Sequence, residues 1–184
     1  MSPSRSHDVQ DTRSDSDALM RVATGDVAAI ATLYDRHAAA LLQFASRLAG
    51  RGDAEDLVHT VFMRVARRAA TYDGRAASAR AWLFGIAMRV IQERRRSLAR
   101  SFRAMSRFSS GEVPGHASAL GERWDIERAL GALSEVQRTV LLLSDVEGFG
   151  GEEIAGMLEI PVGTVWTRLH HARRKLRTLL REGT

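Results

Sequence analysis

Cysteine is absent from the 184 residues, which rules out disulfides, thiolate metal sites and a cysteine nucleophile and agrees with a reducing compartment. Lysine is nearly absent as well: Lys175 is the only one, so the 27 basic residues are almost all arginine. Arginine suits phosphate because its planar fork donates two parallel hydrogen bonds. Apolar runs fall far short of a membrane span, and the Ser/Asp-rich start lacks the apolar stretch of a signal peptide, so a soluble, cytoplasmic protein without membrane insertion is expected. No convincing strand and no short repeat is found. The acid cluster Asp53, Glu55 and Asp56 has no nucleophile, metal-ligand set or phosphate loop near it, so neither an enzyme nor a cofactor is expected.

What is present is helical periodicity. Hydrophobic residues make up 45% and charged residues 27%, a globular balance, and the length allows two small domains. The organising stretch is "SEVQRTVLLLSDVEGFGGEEIAGMLEIPVGTVWTRLHHARRKLRTLL". Val165, Leu169, Ala172, Leu176 and Leu179 step by four and three onto one helical face, while Thr167, His170, Arg174 and Arg181 fall opposite. Ile154 and Leu158 mark a shorter helix before it, and Ile160 closes the turn, which is helix-turn-helix order. Ser134 with Gln137 forms a capping box, the helix it opens stops at Gly148, and Pro161 introduces the last helix.

The expected fold is all-α, with two small helical domains joined by a flexible linker and the second domain a four-helix helix-turn-helix unit. Residues 1–16 carry almost no large apolar side chain and are expected to form a disordered tail. The first domain, 17–107, opens with a short helix from about Asp17 to Thr24 that ends at Gly25, after which Asp26 caps a helix with the stripe Ile30, Leu33, Leu41, Phe44 and Leu48. Asp53 is the expected N-cap of the next helix, whose buried stripe is Leu57, Val61, Phe62 and Val65. Trp82, Ile86 and Val90 form the apolar side of a following helix, with Trp82 expected in the core. Residues 89–107 hold seven Arg against one Glu, a net of +6 in a chain of net +5. The stretch 106–121 contains four Ser, three Gly and one Pro and reads as a linker, with 108–121 set between the domains and 122–184 as the second domain. As a flexible coil its 16 residues span about 20–24 Å, enough for the domains to dock at separate places on one partner.

Residues 166–181 carry five Arg and one Lys with no acid, again net +6. Most charge runs are solvated faces, but a run on the outer side of the second helix of a helix-turn-helix points to DNA. Six phosphate contacts correspond to a salt slope of about −5 on log-log axes. Sequence reading falls to Thr164, Trp166, Thr167, His170 and His171 at the front of the helix. Trp166 lies on the flank of the apolar stripe, placed equally for partial burial and for stacking or a thymine-methyl contact. His170 and His171 are neighbours about 100° apart on a helix, unlike a metal-binding i, i+4 pair, so no metal is expected.

Two separated blocks carry a family resemblance: "DAEDLVHTVFMRV" with "ARAWLFGIAMRV", and "LSEVQRTVLLLSDVEGFGGEEIAGMLEIPVGTVWTRLHHARRKLRTLL". In this order across a linker they resemble the extracytoplasmic-function (ECF) sigma factors, the small promoter-specificity subunits of bacterial RNA polymerase. The resemblance implies an alternative sigma factor that binds core polymerase and directs transcription initiation. It implies that Asp53, Asp56, Leu57, Phe62 and Arg64 touch the core enzyme. It further implies that the loop 71–78 and the helix 82–96 engage the melted minus-ten element and hold a flipped base, with Tyr72, Arg89, Glu93, Arg94, Arg95 and Arg96 as contacts. At the double-stranded minus-thirty-five element it places Thr164, Trp166, Thr167, His170 and His171 in the major groove and Arg168, Arg173 and Arg174 on phosphates. An anti-sigma factor is an implied partner. The family usually has Asn at Arg89, Asp at Glu93, a Gln-Glu pair at His59 and Thr60, Gly at Glu159, and a basic residue at Trp166 and His171. The rival reading is a free-standing helix-turn-helix regulator that binds a palindromic site as a dimer.

Overall fold

A computed structural model describes residues 4–74, 77–105 and 122–182. Among the described residues eight α-helices follow in order: α1 (Ser4–Ala23), α2 (Ala28–Ala49), α3 (Arg51–Arg68), α4 (Ala79–Met105), α5 (Glu122–Ala132), α6 (Glu135–Leu141), α7 (Gly151–Leu158) and α8 (Val162–Glu182). A single 3-10 turn, Ala69–Thr71, follows α3, and no strand occurs among the described residues. The chain divides into two compact units. One takes the chain to Gln92 together with Gly156–Glu159, and the other takes Glu93–Ala155 and the chain from Ile160. The expected linker 106–121 lies outside the described residues.

The α2 and α3 stripes that the spacing predicts form most of the core of the first unit, with Ile30 only half-buried, and α4 adds Leu83, Phe84 and Ile91 to the expected Ile86 and Val90. Leu33, Leu41, Phe44 and Leu48 of α2 meet Leu57, Val61, Phe62 and Val65 of α3, and Leu83, Phe84, Ile86 and Ile91 of α4 are buried with them. Phe44 and Phe84 sit edge to face, 5.3 Å between ring centroids, the arrangement favoured by the ring quadrupoles. Glycine at position 25 takes φ 96°, which turns the chain out of α1, and Asp26 Oδ1 then accepts the Ala28 N–H at 3.0 Å.

Two expectations change here. Of the tail expected over 1–16, residues 4–16 belong to α1 and residues 1–3 lie outside the described residues, and Asp15 is only 3% exposed. Composition alone favoured disorder, whereas the buried Asp15 is held by partners on α2: His37 Nε2 at 2.7 Å and Arg36 Nη1 at 2.8 Å. Helix α3 starts at Arg51, so Asp53 falls in its first turn rather than at the N-cap, where it still complements the helix dipole.

In the second unit α6 opens on the predicted capping box. Gln137 N–H donates to Ser134 Oγ at 3.3 Å and Ser134 N–H to Gln137 Oε1 at 3.1 Å. The helix widens into one π turn over Leu142–Val146, closed by Glu147 N–H donating to the Leu142 carbonyl at 2.9 Å, and Gly148 at φ 75° ends it. Arg138 caps the C-terminus of α5, with Nε on the Leu130 carbonyl and Nη2 on the Gly131 carbonyl, both at 2.8 Å. Lys175 of α8 adds a 2.8 Å bond to the Ala132 carbonyl, so two cations meet the negative end of one helix.

Candidate nucleic-acid interface

The geometry of the turn between α7 and α8 is set by three residues. Glu159 adopts φ 55°, a left-handed conformation that costs an L-residue free energy, and Ile160 N–H then reaches the Ala155 carbonyl at 3.1 Å. Pro161 ends the turn and its carbonyl accepts Thr164 N–H at 2.9 Å, starting α8 as the sequence predicts. Helix α8 then presents two faces. Val165, Leu169 and Ala172 are buried, while Trp166, Thr167, His170, His171, Arg174, Arg177 and Arg181 are exposed. Thr164 and Arg168 are half-buried.

Of the two placements the sequence leaves open for Trp166, the structure shows the partial burial. It is 53% exposed, and its inner edge packs on Gly151, where an added Cβ would lie 2.8 Å from Cε2 and 2.9 Å from Cη2. Thr167 back-bonds through Oγ1 to the Gly163 carbonyl at 2.9 Å. The two imidazoles stand edge to face at 5.7 Å, and among the described residues no group of side chains could hold a metal ion.

The cations of α8 divide into two kinds. Arg173, expected on phosphate, is engaged inside the unit: Nε bonds Asp145 Oδ2 at 3.0 Å and Nη2 bonds Asp145 Oδ1 at 2.5 Å. That bidentate pair holds the Asp145 carboxyl below its ordinary value and the Arg173 guanidinium above its own. The π turn brings Asp145 to α8, a placement that local spacing does not reveal. By contrast Arg174, Arg177 and Arg181 have no acidic partner among the described residues and are left for an external anion.

In the first unit the expected contacts separate by burial. Leu57 and Phe62, expected to touch a partner, are 4% and 6% exposed and belong to the core, because α3 packs that face on α2 and its neighbours. Asp53 and Arg64 are half-buried, and Asp56 is exposed. The outer stripe of α3 is Asp56, Thr60, Met63 and Arg67, at steps of four, three and four. Met63, which the spacing does not single out, is 46% exposed, an apolar side chain out of phase with the buried stripe.

Tyr72 follows the 3-10 turn in extended backbone and is half-buried, edge to face with Trp82 at 5.6 Å. Trp82, expected in the core, is only half-buried, since it serves as one wall of this aromatic pair. On α4, Glu93, Arg94 and Arg96 are exposed and Arg95 is half-buried in an ion pair with Glu135. Arg89 Nη2 donates to Glu159 Oε1 at 2.7 Å, both within the first compact unit, and this bond keeps the Glu159 carboxyl below the usual range.

Comparison with known proteins bears on both halves. Residues 33–101 match the family model "Sigma-70 region 2" and residues 123–176 match "Sigma-70, region 4". The chain is 37% identical over 165 residues to the ECF RNA polymerase sigma factor SigL of Mycobacterium tuberculosis, covering 87% of this chain and 93% of that one. It is 31% identical over 175 residues to the ECF RNA polymerase sigma factor SigK of a Mycobacterium species, covering 90% and 91%. Among solved structures it resembles CnrH in complex with the cytosolic domain of CnrY, with TM-score 0.69, 26% identity, and 93% and 99% coverage. It also resembles the sigma factor RpoE in complex with the anti-sigma factor NepR from Bartonella quintana, with TM-score 0.65, 28% identity, and 77% and 90% coverage.

Proposed function

This chain belongs to the ECF sigma factors of bacterial RNA polymerase, and from that premise we propose how its residues divide the work of promoter recognition. It is an alternative sigma factor that binds core RNA polymerase and directs promoter recognition and transcription initiation. The functional blocks are 17–107 and 122–184, and the protein acts in the cytoplasm beside the polymerase.

The observation that carries the reading is the two-faced α8, which buries Val165, Leu169 and Ala172 and exposes Trp166, Thr167, His170, His171 and Arg174. An exposed helix of this kind behind a helix-turn-helix turn lies in the major groove, so Trp166, Thr167, His170 and His171 read the minus-thirty-five element with Thr164 beside them. Arg168, Arg174, Arg177 and Arg181 hold phosphates, and Arg173 acts as a strut through Asp145. On the first unit, Asp56, Thr60, Met63 and Arg67 form the core-polymerase contact with Asp53 and Arg64 at its margin, while Leu57 and Phe62 support it from within. Tyr72, with Arg89, Glu93, Arg94, Arg95 and Arg96 of α4, engages the melted minus-ten element. Unstacking a base costs a few kcal/mol, so the free protein leaves duplex closed and core polymerase is required. An anti-sigma factor restrains this chain, a reading supported by its likeness to RpoE in complex with the anti-sigma factor NepR.

Full-length protein added to its cognate core polymerase should initiate transcription from a subset of a promoter-template library. Specific binding of a palindromic duplex by the isolated protein as a dimer, with no core-dependent transcription, would establish the free-standing regulator instead.

A further inference from the structure

Ser16 of α1 stands 2.9 Å, oxygen to oxygen, from the Tyr72 hydroxyl, although 56 positions separate them in the chain. The tyrosine is held at several points. Its N–H donates to the Ala69 carbonyl at 3.0 Å, its ring meets Trp82 edge to face at 5.6 Å, and its hydroxyl donates to the Ala77 carbonyl at 3.4 Å. An added Cβ on Gly74 would lie 3.3 Å from the same hydroxyl, so the chain wraps the ring closely. With the Tyr72 proton directed at Ala77, Ser16 is the donor to Tyr72, and the bonds run in series from α1 to the backbone just before α4.

The donor is itself well anchored. Its neighbour Asp15 is bonded to His37 and Arg36 of α2, and Ala18, Leu19 and Val22 bury the same helix in the core. A hydroxyl on a fixed helix therefore meets a ring at the entrance of the segment that the proposed function assigns to the minus-ten element. Ser16 is outside the residues 33–101 matched as region 2.

We propose that Ser16 is a positioning residue for minus-ten recognition, holding the Tyr72 ring against Trp82 so that the loop meets the melted strand in one conformation. The proposal rests on the assignment of Tyr72 to minus-ten DNA. Removing one net hydrogen bond changes an equilibrium about fivefold, which sets the size of the expected effect.

The test uses the full chain with core polymerase on templates randomised over the minus-ten and minus-thirty-five blocks, comparing Ser16→Ala, Ser16→Thr, Tyr72→Phe, Tyr72→Ala and the double variant Ser16→Ala/Tyr72→Phe. Ser16→Ala and Tyr72→Phe should each weaken discrimination among minus-ten sequences about fivefold, together no more than either alone, with the minus-thirty-five preference unchanged and Ser16→Thr close to the parent. Additive losses, or equal losses at both elements tracking thermal stability, would make Ser16 a merely structural residue and overturn the proposal. A shift on Tyr72→Phe but none on Ser16→Ala overturns it too, while leaving the minus-ten assignment standing. No minus-ten change on Tyr72→Ala removes that assignment, and the proposal with it.

Discussion

Trp166 covers Gly151 so closely that position 151 has no room for a side chain: a Cβ there would come within 2.8 Å of Cε2 and nearer still to Cζ2. The first residue of α7 is thus set by a residue of the recognition helix. Gly151→Ala is expected to push the indole outward at a cost of about 1–3 kcal/mol, the usual penalty of overpacking. Thermal unfolding should show the loss, the preferred minus-thirty-five sequence should shift, and adding Trp166→Ala should recover most of the stability. Full stability in Gly151→Ala alone would contradict this packing.

His171 and Arg174 are both exposed on α8 but have different work in the proposed function. His171→Ala should change which minus-thirty-five sequences are preferred, whereas Arg174→Ala should weaken all sequences alike and reduce the salt slope by about 1. Selection on a randomised element, repeated at several salt concentrations, separates the two. Equal effects on every sequence from both variants would remove the base-reading role from His171.

Glu159 holds the turn at φ 55°, a conformation that glycine adopts without strain. Glu159→Gly relieves the left-handed strain but gives up the 2.7 Å bond to Arg89, which is solvent-exposed and screened. The strain is the larger quantity, so the melting temperature should rise by a few degrees and the rise should persist in high salt. A fall in melting temperature that salt abolishes would show that the ion pair outweighs the backbone.

Asp15 predicts an acid-side loss of stability. Burial pushes its carboxyl up, but the hydrogen bonds from His37 and Arg36 more than reverse this, leaving it below the ordinary carboxylate value. A depressed carboxylate contributes fully above its unfolded pKa and loses that contribution as pH falls through the folded one. Asp15→Asn should therefore cost about 3–5 kcal/mol at neutral pH, the order expected when a buried ion pair loses a partner, and should flatten the fall in stability below about pH 4. Urea titrations between neutral and acid pH check both parts, and identical acid-side slopes would exclude Asp15 as the titrating group.

The local grammar of the chain was legible from residue spacing. Ser134 and Gln137, three apart, form their capping box, Pro161 starts α8, and the buried Val165, Leu169 and Ala172 sit where the periodicity puts them. Each is decided within one or two helical turns, and side-chain spacing on a helix is a property of the sequence itself. Partners 22, 28 or 56 positions away, such as Asp15 with His37, Asp145 with Arg173, and Ser16 with Tyr72, leave no periodic trace. Their absence from the spacing explains why residues 4–16 read as part of a tail and why the pairing of Arg173 with Asp145 was not expected.

By itself, then, the sequence determined the helices, the helix-turn-helix and the arginine-rich outer faces, because apolar periodicity and capping residues act through neighbours. Only the tertiary structure decided that Met63 stays exposed beside the buried stripe of α3, that Trp166 packs on Gly151 while half of it stays exposed, and which arginines are already spoken for. Burial and ion pairing depend on what other segments bring to a side chain. A helix cannot specify its neighbours through its own repeat.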